Sequence, residues 1–257
     1  NRDKEYVAVM KLGESTDTQD CTGHVLEKRE LPSFSEDEIS KTFARFVGEL
    51  SQVPPMFSAR KVRGKRLYEL ARRGEVIERA AQNVRIYELE IFDITLPYIR
   101  FRVVCSKGTY IRTLAHDIGE SLGCCAHLSV LERTRIGQFS LKDAVSLEQL
   151  SQTVQQSDDT RFLIPVDEAL GFLPAIEIDE PVAALLAHGT KVLLVVGDFK
   201  LREVQLDGRH LGGGAHRGEV QLDGRHLGGG AHRGDHDQEF RVYSATGRFI
   251  ALARRRF

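Results

Sequence analysis

The chain has no tryptophan and two methionines, and no Met opens it. No run of about 18 apolar residues occurs, so no transmembrane helix is expected. The opening residues do not read as a signal peptide, and none is expected. The opening Asn-Arg-Asp-Lys-Glu-Tyr runs straight into a strand pattern, so an upstream segment is expected. The four cysteines, Cys21, Cys105, Cys124 and Cys125, include no CxxC pair. The adjacent Cys124-Cys125 suits neither a zinc site nor a simple disulfide. A reduced, cytoplasmic protein is therefore expected.

What is present is enough chain, 257 residues, for one large or two ordinary domains with a real core. The net charge of −1 is unevenly spread. Residues 58–112 carry thirteen basic side chains against six acidic, whereas the flanking parts carry an acidic excess. A basic middle in a neutral protein is either a nucleic-acid surface or a solvated charged face.

The most informative stretch runs from Cys105 to Gly119. Before it, Ile99, Phe101, Val103 and Cys105 alternate as in a strand. After it, Ile111, Leu114, Ala115, Ile118 and Leu122 form the apolar stripe of a helix that Gly123 stops. Lys107-Gly108 is the turn between them. Tyr110 and Arg112 then sit in the helix's first turn, where a cation opposes the helix dipole by about 0.3–1 kcal/mol. Arg112 is either a solvated surface residue or one that pairs with a carboxylate or phosphate.

Tyr6 to Leu12 alternates as a strand, and Val25 to Glu30 is expected to return from a polar loop containing Asp17 and Asp20. Those carboxylates either cap turns or serve as metal or acid–base groups. Ser35 with Glu38 makes a capping box for a helix expected over 35–50, with Ile39, Phe43, Phe46, Val47 and Leu50 on one face. Pro54-Pro55 follows it. In 56–74, Arg60, Lys61, Arg63, Lys65, Arg66, Arg72 and Arg73 interleave with Phe57 and Tyr68. That mixture suits phosphate neutralisation with an aromatic available for stacking. Residues 84–96 and 98–106 form an expected hairpin about Pro97. His127 to Ser140 is expected as a strand and turn, and Ser146 with Gln149 starts another helix.

Leu163-Ile164-Pro165 and Leu173-Pro174 suggest a domain boundary near residue 172, giving domains 1–171 and 172–257. The second is expected to be small and β-rich, with Pro181 opening a helix and 239–243 pairing with 248–253. Within it, Glu203 to Gly218 is repeated letter for letter by Glu219 to Gly234. Two Gly-rich copies are too few for a solenoid. The repeat reads as a duplicated surface loop over 203–234, and its histidines as no functional metal site.

Taken together, these residues resemble the TruB family of tRNA pseudouridine synthases. The likeness is carried by Lys4-Glu5-Tyr6 leading into Leu12-Gly13, by Thr16-Asp17-Thr18-Gln19-Asp20 and by Gly23. It continues in Val53 to Ala59 with Lys61, Gly64 and Tyr68 to Arg72, and in Ser106 to Arg112. The resemblance implies an α+β fold: a mixed, largely antiparallel sheet with flanking helices, then a small PUA-like RNA-binding domain. It implies isomerisation of uridine 55 in the T loop of tRNA to pseudouridine, by a cytoplasmic monomer without metal or cofactor. The target base must leave its stack. By motif, Tyr6 would stack on the flipped base, Tyr110 would pack against it and assist proton transfer, and Leu131 would give an apolar contact. Arg112 would pair with a nucleophilic aspartate and hold it ionised. Arg60, Lys61, Arg63, Lys65 and Arg66 would contact the tRNA.

The family's nucleophile lies in a Gly-Thr-Leu-Asp-Pro segment upstream of the Lys-x-Tyr motif, with a base-flipping histidine nearby. Neither occurs in these 257 residues. Asp17, Asp20 and Asp117 do not match that motif. The chain as given is therefore expected to be N-terminally truncated and catalytically inactive. A non-catalytic RNA-binding or tRNA-chaperone protein is the alternative. A guide-RNA-dependent relative is a third reading, which the Thr-Asp-Thr-x-Asp loop disfavours.

Overall fold

The computed structural model describes residues 2–62, 64–156, 162–188, 192–194, 200–202, 220–222 and 239–255. The chain divides into two compact units, 1–146 and 147–257.

In the first unit, β1 (Lys4–Leu12) is followed by a hairpin of β2 (Glu14–Thr16) and β3 (Val25–Lys28), helix α1 (Glu36–Ala44) and β4 (Gly48–Gln52). The basic segment forms a minimal hairpin, β5 (Lys61–Val62) and β6 (Lys65–Arg66), running into α2 (Leu67–Ala71). Long strands β7 (Gln82–Thr95) and β8 (Tyr98–Cys105) lead to α3 (Ile111–Ser121), β9 (Ala126–Ile136) and β10 (Phe139–Ser140). Six strands form one sheet in the order β10-β9-β1-β8-β7-β4. Every neighbouring pair in it is antiparallel.

Strand alternation decides which face is covered. Ala8, Met10 and Leu12 of β1 are buried together with Ile99, Phe101, Val103 and Cys105 of β8, beneath Ile39 and Phe43 of α1 and Leu114, Ala115 and Ile118 of α3. Phe43 meets Phe101 edge-on, with ring centroids 5.6 Å apart. The alternate residues carry charge. Arg102 contacts Glu5 at 2.8 Å and Glu88 at 2.7 Å, and Arg135 reaches Glu5 at 3.6 Å.

The capping box at Ser35 forms as expected: Glu38 N–H donates to Ser35 Oγ, and Ser35 N–H donates to Glu38. The helix expected over 35–50 is shorter, however. Its end tightens through Phe46 N–H to Phe43 O and Val47 N–H to Ala44 O, and Gly48 takes a φ of 112°. Leu50 then sits in edge strand β4 opposite Val84. An apolar residue at that position fits a helical stripe and a half-buried strand equally, so periodicity did not separate them.

The second unit contains α4 (Leu147–Gln156), α5 (Val166–Ala169), β11 (Ala175–Ile178), α6 (Glu180–Ala187), β12 (Val192–Leu194), β13 (Lys200–Arg202), β14 (Val220–Leu222), β15 (Glu239–Ser244) and β16 (Phe249–Arg255). Its sheet runs β12-β14-β16-β15-β11-β13. Its β11–β15 pair is parallel, which makes the fold as a whole mixed. Ile176, Ile178, Ala183, Leu186, Phe240, Val242 and Ala253 form its core. Asp179 caps α6 by accepting from Val182 N–H, with proline in the first turn as expected. Arg241 donates to the carbonyls of Leu173, Asp167 and Gly171, tying the stretch around residue 172 to β15. Apart from Val220–Leu222, the duplicated stretch lies outside the described residues, as does Gly189. No helix among the described residues is long and apolar enough to cross a membrane.

α3 approaches β9 closely at Gly119, where an added Cβ would collide with the backbone of Cys125 and with Ala126. Gly119→Ala is expected to cost about 1–3 kcal/mol of stability, because the helix must back away from the sheet. Urea denaturation checks this; an unchanged midpoint would contradict the close approach.

Candidate active site around Arg112

The turn between β8 and α3 is built by short-range bonds. Gly108 adopts a φ of 84°, which lets the chain reverse, and Thr109 Oγ1 donates to Ser106 O at 2.9 Å. Tyr110 is the N-cap residue in an extended conformation and has no side-chain cap. Two residues on, Arg112 lies at the start of the helix with about a quarter of its side chain exposed.

The structure resolves the two readings of Arg112 in favour of pairing. Its Nη1 donates to Asp20 Oδ2 at 2.8 Å and to Thr18 O at 3.2 Å, and its Nη2 donates to Phe57 O at 2.7 Å. One guanidinium thus joins α3, the polar loop after β2, and the start of the basic segment.

Asp20 is delivered to it by the Thr16–Asp20 stretch. Thr16 Oγ1 donates to Asp20 O at 2.7 Å, and Gln19 adopts a φ of 63°. Gln19 O accepts from Leu128 N–H, and Cys21 N–H donates to Leu128 O, docking the loop on β9. Gly23 leaves no room for a Cβ beside Asp17 and Thr18. Asp17 Oδ1 accepts from His24 N–H at 2.8 Å, so Asp17 is a turn residue. Asp20 is both a turn residue and an ion-pair partner. Its Oδ1 accepts from Thr18 Oγ1 at 2.8 Å, Thr22 Oγ1 at 2.6 Å and Thr22 N–H at 3.0 Å. Burial pushes the Asp20 carboxyl up, but the Thr22, Thr18 and Arg112 hydrogen bonds outweigh it and hold the group below its ordinary value.

The other residues singled out from the sequence lie on β1, β9 and the basic segment. Tyr6, half-buried on β1, stands opposite Val103 on one side and Arg133 on the other. Burial, then the neighbouring Cys105, push its hydroxyl up in pKa, against a hydrogen bond with Arg133. Cys105 itself is buried and pushed up to about 11. Leu131 pairs with Ala8 and is 44% exposed, an apolar side chain with no core to fill. Arg60 Nη1 donates to Gln82 Oε1, whereas Lys61, Lys65 and Arg66 are exposed. Arg66 donates to Tyr68 Oη at 2.9 Å, and the guanidinium groups of Arg66 and Arg72 lie 5.9 and 5.4 Å from the Tyr68 ring. Arg63 lies outside the described residues.

Two connections carry no sequence signal. Asp20 was visible as a loop carboxylate, but nothing in the spacing linked it to Arg112, 92 residues away. Gln52, 2% exposed, accepts from Tyr110 N–H and donates to Tyr110 O. No sequence signal marks such a side chain.

Because the folded Asp20 carboxyl titrates below its ordinary value of about 3.8, its contribution is present above that pH and is lost as pH falls through the folded value. Asp20→Asn keeps the Oδ1 acceptor and removes the charge facing Arg112. It is expected to cost about 1.5 kcal/mol at neutral pH. Chemical denaturation across pH checks this: variant and wild type should converge at acid pH, and a pH-independent gap would contradict the ion pair.

Comparison with known proteins gives the family. Residues 1–111 match the TruB family pseudouridylate synthase N-terminal domain, and residues 112–171 match the tRNA pseudouridylate synthase B C-terminal domain. The chain is 47% identical over 192 residues to tRNA pseudouridine synthase B of Burkholderia mallei, covering 75% of this chain and 63% of that protein. It is 44% identical over 192 residues to the Clostridium tetani protein of the same name, covering 65% of it. The chain thus spans just under two thirds of the length of these relatives. Among solved structures, a Cbf5-Nop10-Gar1 complex superposes with a TM-score of 0.61 at 24% identity, over 97% of this chain and 59% of that one. An H/ACA RNP bound to a substrate RNA containing 2'-deoxyuridine gives 0.58 at 22% identity, over 97% and 58%. These two likenesses concern the fold, whereas the sequence matches carry the family: the chain belongs to the TruB family of pseudouridylate synthases.

Proposed function

We propose that this protein is a tRNA pseudouridine synthase acting on uridine 55 of the T loop. Its relatives are named tRNA pseudouridine synthase B, and the observation that carries the reading is Arg112, held in a fixed place at the start of α3 two residues after Tyr110. In this reading the target uridine leaves its stack and enters between Tyr6 and Tyr110. Leu131 supplies an apolar contact. Arg112 keeps an attacking carboxylate ionised, since a nearby cation favours the charged form. The aspartate of the family's Gly-Thr-Leu-Asp-Pro segment bonds to C1′ as the C1′–N1 bond breaks; the freed uracil turns, its C5 bonds to C1′ as the carboxylate leaves, and the C5 proton is lost while N1 takes one up. The exposed cations of the 60–66 segment, with Arg60, neutralise tRNA phosphates. Residues 172–257 serve as a PUA-like RNA-binding domain, and the protein works as a cytoplasmic monomer.

Residues 1–257 alone are proposed to bind RNA without turnover. Asp20, the carboxylate that Arg112 holds, has its Oδ1 committed to three hydrogen bonds from Thr18 and Thr22, which suits a structural role. Asp117 is pushed up by burial, the opposite of an activated anion. The same observation favours a second reading, a non-catalytic RNA-binding protein.

The test pairs binding with turnover on a T-arm hairpin RNA. Binding without pseudouridine formation is the expected result for residues 1–257. Turnover abolished by Asp20→Asn would instead assign the nucleophile to Asp20. Absence of binding would overturn both readings. Reversing the charges of Arg60, Lys65 and Arg66 is expected to weaken binding and reduce the slope of log affinity against log salt by about 0.7–0.9 for each phosphate that is no longer neutralised. An unchanged slope would rule out this segment as the RNA surface.

A further inference from the structure

Gln52 ends β4 and is directly opposite Gln82 of β7. Both side chains leave their strands to hold the β8–α3 turn. Gln52 Oε1 accepts from Tyr110 N–H at 3.1 Å, and its Nε2 donates to Tyr110 O at 3.3 Å. Gln82 Nε2 donates to Gly108 O at 2.7 Å, while its Oε1 accepts from Arg60. A cross-strand pair of amides therefore grips the turn two residues apart, and one of the pair engages both main-chain polar groups of Tyr110.

This placement is costly as mere packing. A 2% exposed glutamine loses rotamer freedom and must find partners for a carbonyl and an amine. A methionine would fill similar space without either demand. The arrangement also answers a local deficiency. Tyr110 is the N-cap of α3 but has no side chain able to cap it, so its own position is not fixed by the usual Ser, Thr, Asp or Asn device. Gln52 supplies from another strand the main-chain pairing that a neighbouring strand would give. It thereby fixes the Cα of Tyr110 and the direction in which the ring leaves the helix.

We infer that Gln52 is a positioning residue: it fixes the Tyr110 ring against the target base, acting through the Tyr110 main chain without touching the substrate. This rests on the reading of Tyr110 as a base contact. Small displacements of such a group are enough to lose productive geometry.

The test has two readouts on wild type, Gln52→Met and Gln82→Met. The first is hydrogen exchange of the Tyr110 amide. Gln52→Met is expected to speed it about tenfold, the size of one missing hydrogen bond, while Gln82→Met leaves it near wild type. The second is photocrosslinking to a T-arm hairpin carrying 4-thiouridine at the target position, mapped by mass spectrometry. Gln52→Met is expected to lower the Tyr110 crosslink about fivefold with hairpin affinity retained and the melting temperature lowered by only a few degrees. Unchanged exchange and an unchanged crosslink would overturn the inference, as would faster exchange with an unchanged crosslink. If wild type gives no Tyr110 crosslink, the base-contact reading fails, and the positioning role with it; the exchange data then report only the main-chain clamp. Should Gln52→Met fail to fold, Gln52→Glu replaces it. That variant keeps the acceptor and loses the donor, so the amide should stay protected while the crosslink falls; loss of protection there would contradict the assigned bonds.

Discussion

A guanidinium offers five donors in a fixed fork and accepts nothing, so covering most of one obliges the chain to bring oxygens to it from suitable directions. At Arg112 those oxygens come from Asp20, Thr18 and Phe57. The position opposes the helix dipole by about 0.3–1 kcal/mol. Hydrogen bonds involving a charged group contribute about 1.5–3 kcal/mol each, so three of them outweigh that cost even after part is spent on desolvation. The consequence is geometric. The loop after β2, the entrance to the basic segment and the start of α3 cannot move independently while this group is satisfied.

The sheet supplies the frame on which that junction rests. β1 lies between β8 and β9, so Tyr6 is flanked by Val103 and Arg133. α3 is pulled tightly onto β9 at Gly119, which sets the height of its first turn above the sheet. The loop bearing Asp20 is docked on the same strand through Leu128. Helix and loop thus share β9 as a common reference, and the 2.8 Å ion pair between them follows from two separate anchors.

Much of this was legible in the sequence wherever the signal is local. The alternation through Phe101 and Cys105, the stripe from Ile111 to Ile118, and the Ser35–Glu38 box each encode an element within a few residues, and each forms. Arg112 stood out because it broke a local preference. Its partner did not stand out, because a threonine-flanked aspartate in a polar loop looks like a turn cap. Asp20 is one: a single carboxylate uses one oxygen for its turn and the other for Arg112. Leu50 was misplaced, since the stripe through Phe43 and Phe46 runs on smoothly across Gly48. A buried amide that reaches 58 residues along the chain leaves no periodic trace.

Arg112 is an immobilised junction, and in the proposed function it faces the RNA. The most direct measurement is nitrogen-15 NMR of its guanidinium, with and without a T-arm hairpin RNA. A junction held by three acceptors predicts separate, slowly rotating Nη1 and Nη2 signals that shift when the hairpin binds. A single averaged signal, unchanged by the RNA, would mean a solvated side chain and would contradict the account.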